Sequence, residues 1–434
     1  MLSRRGTEPA MRVLTTSEGS LLSLPPDTSS SISRRLLEAT KNFPSPVFRL
    51  KRGKLYAAQV VGTIQIPGVR VNILPKSSEE SSAGARDFLL NILKVAGYFD
   101  LRDMRSANVS ATIADPLEVL LLGTARDMLL ALTEGVPRRY EDQREISSQI
   151  RGRVDFSQLS RRLPVDSGIP IRHAPLSPNN DLSRCLKGLT DLLLRLTQQQ
   201  ITKRLLAAVQ DRLINVDNPP LSTAALDHLV LTAAESPWKR TIAIARLLLS
   251  GLSPNPTYSG MHEGFSLLFP LHHLFERVIR NVLSSARWED NIELLQTKHP
   301  LSFLTNISDG IDVLSLRPDY ILKLDGKIAA IADAKWKRVT GAARAYGVGR
   351  TDLFQMNAYL TALEVRDAII LVPRQRWMTE SWKQSFAVSA TDRRIHVIGV
   401  DIEQIVSRAR NVREAAQSDL KSMISQAIRL QRTT

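Results

Sequence analysis

In the stretch LRPDYILKLDGKIAAIADAKWKR, residues 316 to 338, Asp319 follows a proline, and Asp333 and Lys335 stand two residues apart beyond an Asp325-Gly326 turn. On a strand, residues i and i+2 leave the same face, so Asp333 and Lys335 project together. The neighbours Ile321, Ile328 and Ile331 predict that these strands are largely buried, and an unpaired charge among them is costly. A two-residue Asp325-Gly326 loop opposes Asp319 to Ala332 and sends the two carboxylates to opposite faces. A three-residue loop centred on Gly326 opposes Asp319 to Asp333 instead. The second register, or a bulge with the same effect, is predicted.

Opposed residues have Cα atoms roughly 4.5 to 5.5 Å apart, where two carboxylates repel unless a cation sits between them. A hard divalent ion suits oxygen ligands, and Mg2+ commonly binds through one or two carboxylates plus waters. Asp319 and Asp333 are therefore the candidate metal ligands. Lys335 would stand beside the metal, able to orient or activate a water and to neutralise charge developing on a phosphate. Carboxylate, carboxylate and lysine form a set suited to phosphodiester hydrolysis. As a bare pattern the set is common; its position across a hairpin between apolar strands gives it weight.

The elements that must position these residues are legible on either side. FSLLFPLHHLFERVIRNVLSSA, residues 265 to 286, reads as one amphipathic helix with Leu271, Leu274, Phe275, Val278 and Val282 on its stripe and Glu276 at the edge. After the hairpin come a helix at TDLFQMNAYLTALEV, a strand at DAIILVP, a strand at RIHVIGV and a charged C-terminal helix from about 401 to 430. This is a mixed α/β core. Upstream, residues 1–45 are rich in Ser, Thr, Pro and Arg and read as a mobile N-terminal arm. Residues 46–160 combine short antiparallel strands at 47 to 76 with helices at ARDFLLNILKVAGYF and DPLEVLLLGTARDMLLALTEG, an α+β domain. Residues 161–180 read as a linker, and 181–434 as a second domain with a helical front from LSRCLKGLTDLLLRLTQQQITKRLLAAVQDRLI onward. The fold class is thus α/β and α+β.

With 434 residues, the chain is long enough for two or three cores. A formal charge of +15 favours an anionic partner, nucleic acid ahead of a membrane, since no basic amphipathic anchor stands out. The segment KWKRVTGAARAYGVGR places Lys335, Lys337, Arg338, Arg344 and Arg350 without an acid among them, as a phosphate-contacting loop would. Trp336 reads as a core anchor, and His272 and His273 as residues on the solvated side of their helix. The single cysteine, Cys185, excludes an intramolecular disulfide and a multi-cysteine metal site, and fits a reducing compartment. No apolar run reaches membrane-span length, and cytoplasmic localisation is expected. No GxxxxGK[ST], HExxH or GxSxG motif is present, so nucleotide hydrolysis has to come from another protein.

PDYIL followed by IADAKWK resembles the PD-(D/E)xK motif in the form used by the McrC family, the nuclease subunits of McrBC-type 5-methylcytosine restriction systems. VNILPK, IRGRVDF, NNDLSRCLKGL, LFPLHHLFERVI and TDLFQMNAYL follow the same order and extend the resemblance over residues 47 to about 373. The resemblance implies a restriction-endonuclease-like domain behind a partner-docking domain, with Asp319, Asp333 and Lys335 as its catalytic set. It implies that Glu276 is a further metal ligand, against an ordinary exposed helix charge. Gln355 and Tyr359 match a QxxxY element implied to face DNA, against ordinary helix packing. It also implies a partner, a McrB-like hexameric AAA+ GTPase that binds the GTP, delivers double-stranded DNA carrying modified bases and is stimulated by the docking domain. Arg102, Arg105, Arg138 and Arg139 are possible contacts to it. The function expected is a Mg2+-dependent DNA endonuclease subunit. The alternatives are a non-catalytic adaptor and GTPase activator, or a free-standing RecB-like exonuclease.

Overall fold

The computed structural model describes residues 11–26, 29–76, 81–98, 115–161, 168–250, 265–284, 288, 291–295, 301–341 and 344–429. Two compact units interleave along the chain: residues 1–100 with 255–434, and residues 101–254. The sequence-based boundaries at 160 and 180 fall inside the second unit. Among the described residues, no helix is long and apolar enough to cross a membrane.

The first unit holds two main sheets. The N-terminal sheet is built from β1 (Arg12–Ser17), β2 (Val60–Ile66), β3 (Val69–Leu74) and β4 (Phe265–Pro270), in the order β1-β3-β2-β4. β1 runs parallel to β3, and the other pairs are antiparallel. Val60, Val61, Ile64, Val71 and Ile73 are buried along its length. This sheet overturns two expectations. Inside the stretch expected to be a mobile arm, β1 forms a strand and Ser29–Thr40 a helix. β1 was illegible because Val13 lies exposed and its remaining residues are mostly polar. FSLLFP, expected as the first turns of a helix, is instead a strand that ends at Pro270, where the missing N–H can no longer serve a ladder. Gly62 permits this pairing: its φ is +124°, and a Cβ there would lie 2.0 Å from the Leu267 carbonyl oxygen.

The second sheet has six strands: β5 (Ile292–Leu295), β6 (Tyr320–Leu324), β7 (Lys327–Ala334), β8 (Asp367–Pro373), β9 (Lys383–Ala387) and β10 (Arg394–Val400), in the order β5-β6-β7-β8-β10-β9. The centre, β7-β8-β10, is parallel, and the edges are antiparallel. The near-continuous apolar run of β8 suits a strand covered on both faces. Besides Ser29–Thr40, the longer helices of this unit among the described residues are α1 (Ser82–Val95), α2 (Leu271–Ser284), α3 (Arg350–Ala362) and α4 (Arg410–Arg429). On α2 the stripe Leu271, Leu274, Phe275, Val278 and Val282 is buried, as its spacing predicts. Ile321, Ile331, Ala368, Ile370 and Val397 share one core with Met356, Tyr359 and Leu360 of α3. That core fixes which face of the hairpin turns toward α3.

The second unit is largely helical, with Pro116–Thr133, Asp181–Leu196, Gln200–Arg212 and Lys239–Ser250 as its longer helices. Asp115 caps the first of these by accepting from the Leu117 N–H at 2.9 Å. The long helical pattern from residue 182 breaks at Thr197, where the buried Glu118 accepts from the Thr197 hydroxyl and the Gln198 N–H, both at 2.7 Å. Cys185 is buried here, with burial pushing its thiol pKa up. Arg139 pairs with Glu235 at 2.6 Å and is committed within the unit, whereas Arg138 is exposed. Arg102 and Arg105 lie outside the described residues.

Candidate active site

The hairpin β6-β7 sets the geometry. Its turn is a two-residue loop, with Leu324 opposite Lys327 and positive φ at both Asp325 (51°) and Gly326 (78°). Left alone, that loop would put Asp319 across from Ala332. Ala329 is an extra residue in β7: Lys323 pairs with Ile328, and the next pair is Leu322 with Ala330. The bulge moves the register by one, Tyr320 faces Ala332, and the continuation brings Asp319 opposite Asp333. The expected opposition is reached by a bulge, not by a three-residue loop. The expectation that Ile328 is buried fails, since it sits beyond the bulge and is 38% exposed.

Alternation then places Ile331, Asp333 and Lys335 on the α3 side and Ala332, Ala334 and Trp336 on the other. Asp333 is 1% exposed, and its Oδ2 atom lies 2.6 Å from Lys335 Nζ. Close as they are, the pair lacks hydrogen-bond alignment, and among the described residues that oxygen has no other donor. Asp319 Oδ2 accepts the Ala334 N–H at 2.8 Å, which pins the first acid to the backbone beside the second.

Electrostatics follow from burial and crowding. Loss of solvent, only partly offset by the Ala334 N–H and reinforced by the charge of Glu276, pushes Asp319 up to about 6. Loss of solvent and then the charge of Asp319 push Asp333 up to about 6, against the opposing pull of Lys335. Burial works to lower the lysine, and Asp333 and Asp319 overcome it, so its pKa stands above the ordinary value. Two acids held together and short of compensation describe a place that lacks positive charge.

Other sequence-predicted residues gather around this centre. Lys335 Nζ donates to Gln355 Oε1 at 3.0 Å, Gln355 Nε2 donates to the Tyr359 hydroxyl at 2.8 Å, and that hydroxyl donates to the Arg317 carbonyl at 3.1 Å. Tyr359 is 3% exposed, so it presents no surface to DNA; it supports Gln355 from inside the core. Glu276 is half-buried on α2, where the Tyr320 hydroxyl donates to its backbone carbonyl at 2.7 Å, and its charge reaches Asp319. His273 is on the solvated side, 3.6 Å from Glu276, as expected. His272 is not: it is half-buried, and burial pulls its pKa down.

The basic segment after Lys335 divides. Lys337 pairs at 2.5 Å with Asp352, an acid in the first turn of α3 that sequence reading passed over. The acid missing from residues 335–350 is supplied from just beyond them. Arg338 and Arg350 are exposed, and the Arg344 side chain lies outside the described residues. Trp336 packs edge-on against Phe275 of α2, with ring centroids 5.6 Å apart.

Among the described residues, no group of three or more His, Cys, Asp or Glu side chains could cage a metal ion. The donors present are hard carboxylate oxygens, one of them the buried, unaligned Oδ2 of Asp333. Such a set fits Mg2+, which keeps several waters and takes one or two carboxylates, and does not fit a structural zinc site.

A family model for the McrBC 5-methylcytosine restriction system component matches residues 55–372. No curated protein matches the sequence. Among solved structures, the chain resembles one from a refined half-complex of a tetradecameric assembly of Thermococcus gammatolerans McrB AAA+ hexamers with bound McrC. That match has a TM-score of 0.73 and 16% identity, and covers 95% of this chain and 99% of the other. A second resemblance is to a chain of the Thermococcus gammatolerans McrBC complex, with a TM-score of 0.52 and 18% identity over 64% of this chain and 89% of the other. At these identities the likeness is one of fold.

Proposed function

Since the chain belongs to the McrBC 5-methylcytosine restriction system component family, we propose that it is the nuclease subunit of a modification-dependent restriction complex, a Mg2+-dependent DNA endonuclease of the PD-(D/E)xK type. The observation that carries this reading is the bulged register that opposes Asp319 to Asp333 with Lys335 Nζ 2.6 Å from the second acid. Mg2+ bound at Asp319 and Asp333, with Glu276 as a further candidate ligand, would supply Lewis-acid polarisation of the scissile phosphate.

The chain's own residues do the rest. Asp319 and Asp333 hold negative charge in a buried place, which selects for a cation and fixes where a phosphate can approach. Lys335 keeps its proton at Nζ, where it offsets charge developing on phosphate oxygens and orients an attacking water. Gln355, itself held by Tyr359, stops the lysine from swinging away. Arg338 and Arg350 contact the DNA backbone and contribute affinity without reading sequence.

The partner is a McrB-like hexameric AAA+ GTPase; the solved assembly whose chain this one resembles holds McrB AAA+ hexamers. With no phosphate-binding loop in this sequence, GTP belongs to that partner, whose hydrolysis this chain stimulates while the motor delivers double-stranded DNA carrying modified bases. The test is cleavage of a 5-methylcytosine-containing plasmid by the reconstituted complex with GTP and Mg2+. Asp333→Ala and Lys335→Ala should each cut at least about a thousandfold more slowly, with GTPase stimulation retained. Cleavage at the wild-type rate by either variant would leave an adaptor and refute the nuclease reading.

A further inference from the structure

Trp336 sits between two residues of the site without belonging to it. It directly follows Lys335, and its ring packs on Phe275, which directly precedes Glu276. The β7-β8 ladder ends just before it, at the Lys335 N–H donating to the Leu371 carbonyl at 2.8 Å, and the chain then folds tightly so that the Lys337 N–H reaches the Lys335 carbonyl at 2.9 Å. Beyond that last bond, the direction of the lysine depends on what holds the next residue.

On its other side Trp336 borders a cleft of about 1360 Å³, whose lining also includes Glu18, Lys76, Arg338 and Arg374. An indole facing a cleft is not fixed by close packing all round, and Trp336 is only half-buried. Its anchor is a hydrogen bond: the indole N–H donates to Glu18 Oε2 at 3.2 Å. Glu18 is 8% exposed and sits just past β1, where its own N–H donates to the Leu74 carbonyl at 2.9 Å and its Oε1 accepts the Lys76 N–H at 3.5 Å. The acceptor is therefore tied to the ends of two strands of the N-terminal sheet. A carboxylate held that deeply is costly unless its bonds are made, and a bond from an N–H to an ionised oxygen is among the stronger ones.

We infer that Glu18 is a positioning residue for the hydrolytic site: through the Trp336 indole it fixes the exit of β7, and with it Lys335, against the N-terminal sheet. The inference rests on the nuclease reading given above. It also makes the N-terminal sheet part of the catalytic apparatus.

The experiment is single-turnover cleavage of a 5-methylcytosine-containing plasmid by the full chain with its cognate AAA+ motor, GTP and Mg2+. Glu18→Leu removes the acceptor, and Trp336→Phe removes the donor but keeps a ring against Phe275. Each should lower the rate at saturating DNA about 10- to 100-fold, with DNA affinity and GTPase stimulation within about twofold of wild type. The double variant should be no slower than the worse single one, because both remove the same link. Glu18→Gln keeps an acceptor and should restore the rate to within about threefold of wild type. If Glu18→Leu fails to fold, Trp336→Phe against Glu18→Gln decides alone. Wild-type rates for Trp336→Phe, or equal losses for Glu18→Gln and Glu18→Leu, would overturn the inference. Lys335→Ala, run alongside, separates the two levels: if it is dead while Trp336→Phe is fully active, only the positioning role falls. If Lys335→Ala also cuts normally, the nuclease reading falls.

Discussion

Lys335 is oriented from outside its own strand: its Nζ donates at 3.0 Å to Oε1 of Gln355, 20 residues further along the chain on α3. Gln355→Ala should therefore slow single-turnover cleavage about 10- to 100-fold with little change in DNA affinity, as loss of an orienting partner commonly does. Tyr359→Phe should cost less activity, about threefold to tenfold, and about 1 kcal/mol in thermal or denaturant unfolding, because it leaves the Arg317 carbonyl and Gln355 short of a partner.

The bulge carries a prediction of its own. Deleting Ala329 removes only the unpaired residue, so Lys323 with Ile328 and Leu322 with Ala330 follow on directly, Asp319 stays opposite Asp333, and cleavage should persist within about tenfold. Deleting Ala329 and Ala330 together shifts the register by one, and cleavage should vanish. Ala329→Val keeps the residue count and should retain activity within about tenfold. Plasmid cleavage checks these variants, with circular dichroism to show that each still folds; an active double deletion would disconnect the register from the chemistry.

Stability should depend on pH with a defined sign. Burial raises Asp319 and Asp333 in the folded chain to about 6, from an ordinary value of 3.8. The folded state thus binds protons more tightly than the unfolded one. The stabilisation this gives is fully present below about 3.8 and is lost as pH rises through about 6. Without divalent ions, the melting temperature should fall between these values because of this pair. Mg2+ needs the ionised acids, so it should raise the melting temperature at pH 8 and have little effect near pH 4.5. Asp333→Asn should flatten both dependences. Differential scanning fluorimetry with and without Mg2+ is the measurement, and an equal Mg2+ effect in wild type and Asp333→Asn would contradict the assignment.

DNA affinity offers a graded comparison. Arg338→Ala and Arg350→Ala should each reduce the slope of log affinity against log salt by about 1, the mark of one lost phosphate contact. Lys337→Ala should reduce it less, because Asp352 already neutralises that lysine at 2.5 Å. Fluorescence anisotropy with a labelled duplex in Ca2+, across a salt series, would rank the three.

The local order of the chain by itself determined the chemistry of the site and the elements that bear it. Alternation marked PDYIL and IADAKWK as strands, Asp325-Gly326 as their turn, and the buried stripe of α2; these are short-range properties of φ, ψ and side-chain period. What only the tertiary structure decided involves segments far apart in sequence. The Ala329 bulge is stable because Ile321 and Ile331 must both face α3, and no window of the hairpin alone contains that requirement. FSLLFP joined a sheet because β2 offered it an edge that Gly62 allows it to approach, and β1 became a strand because β3 stood free beside it. Burial of Tyr359, neutralisation of Lys337 by Asp352 and the hold of Glu18 on Trp336 all depend on which surfaces packing brings together. Sequence sets what each side chain is able to do, and packing settles which partner it meets.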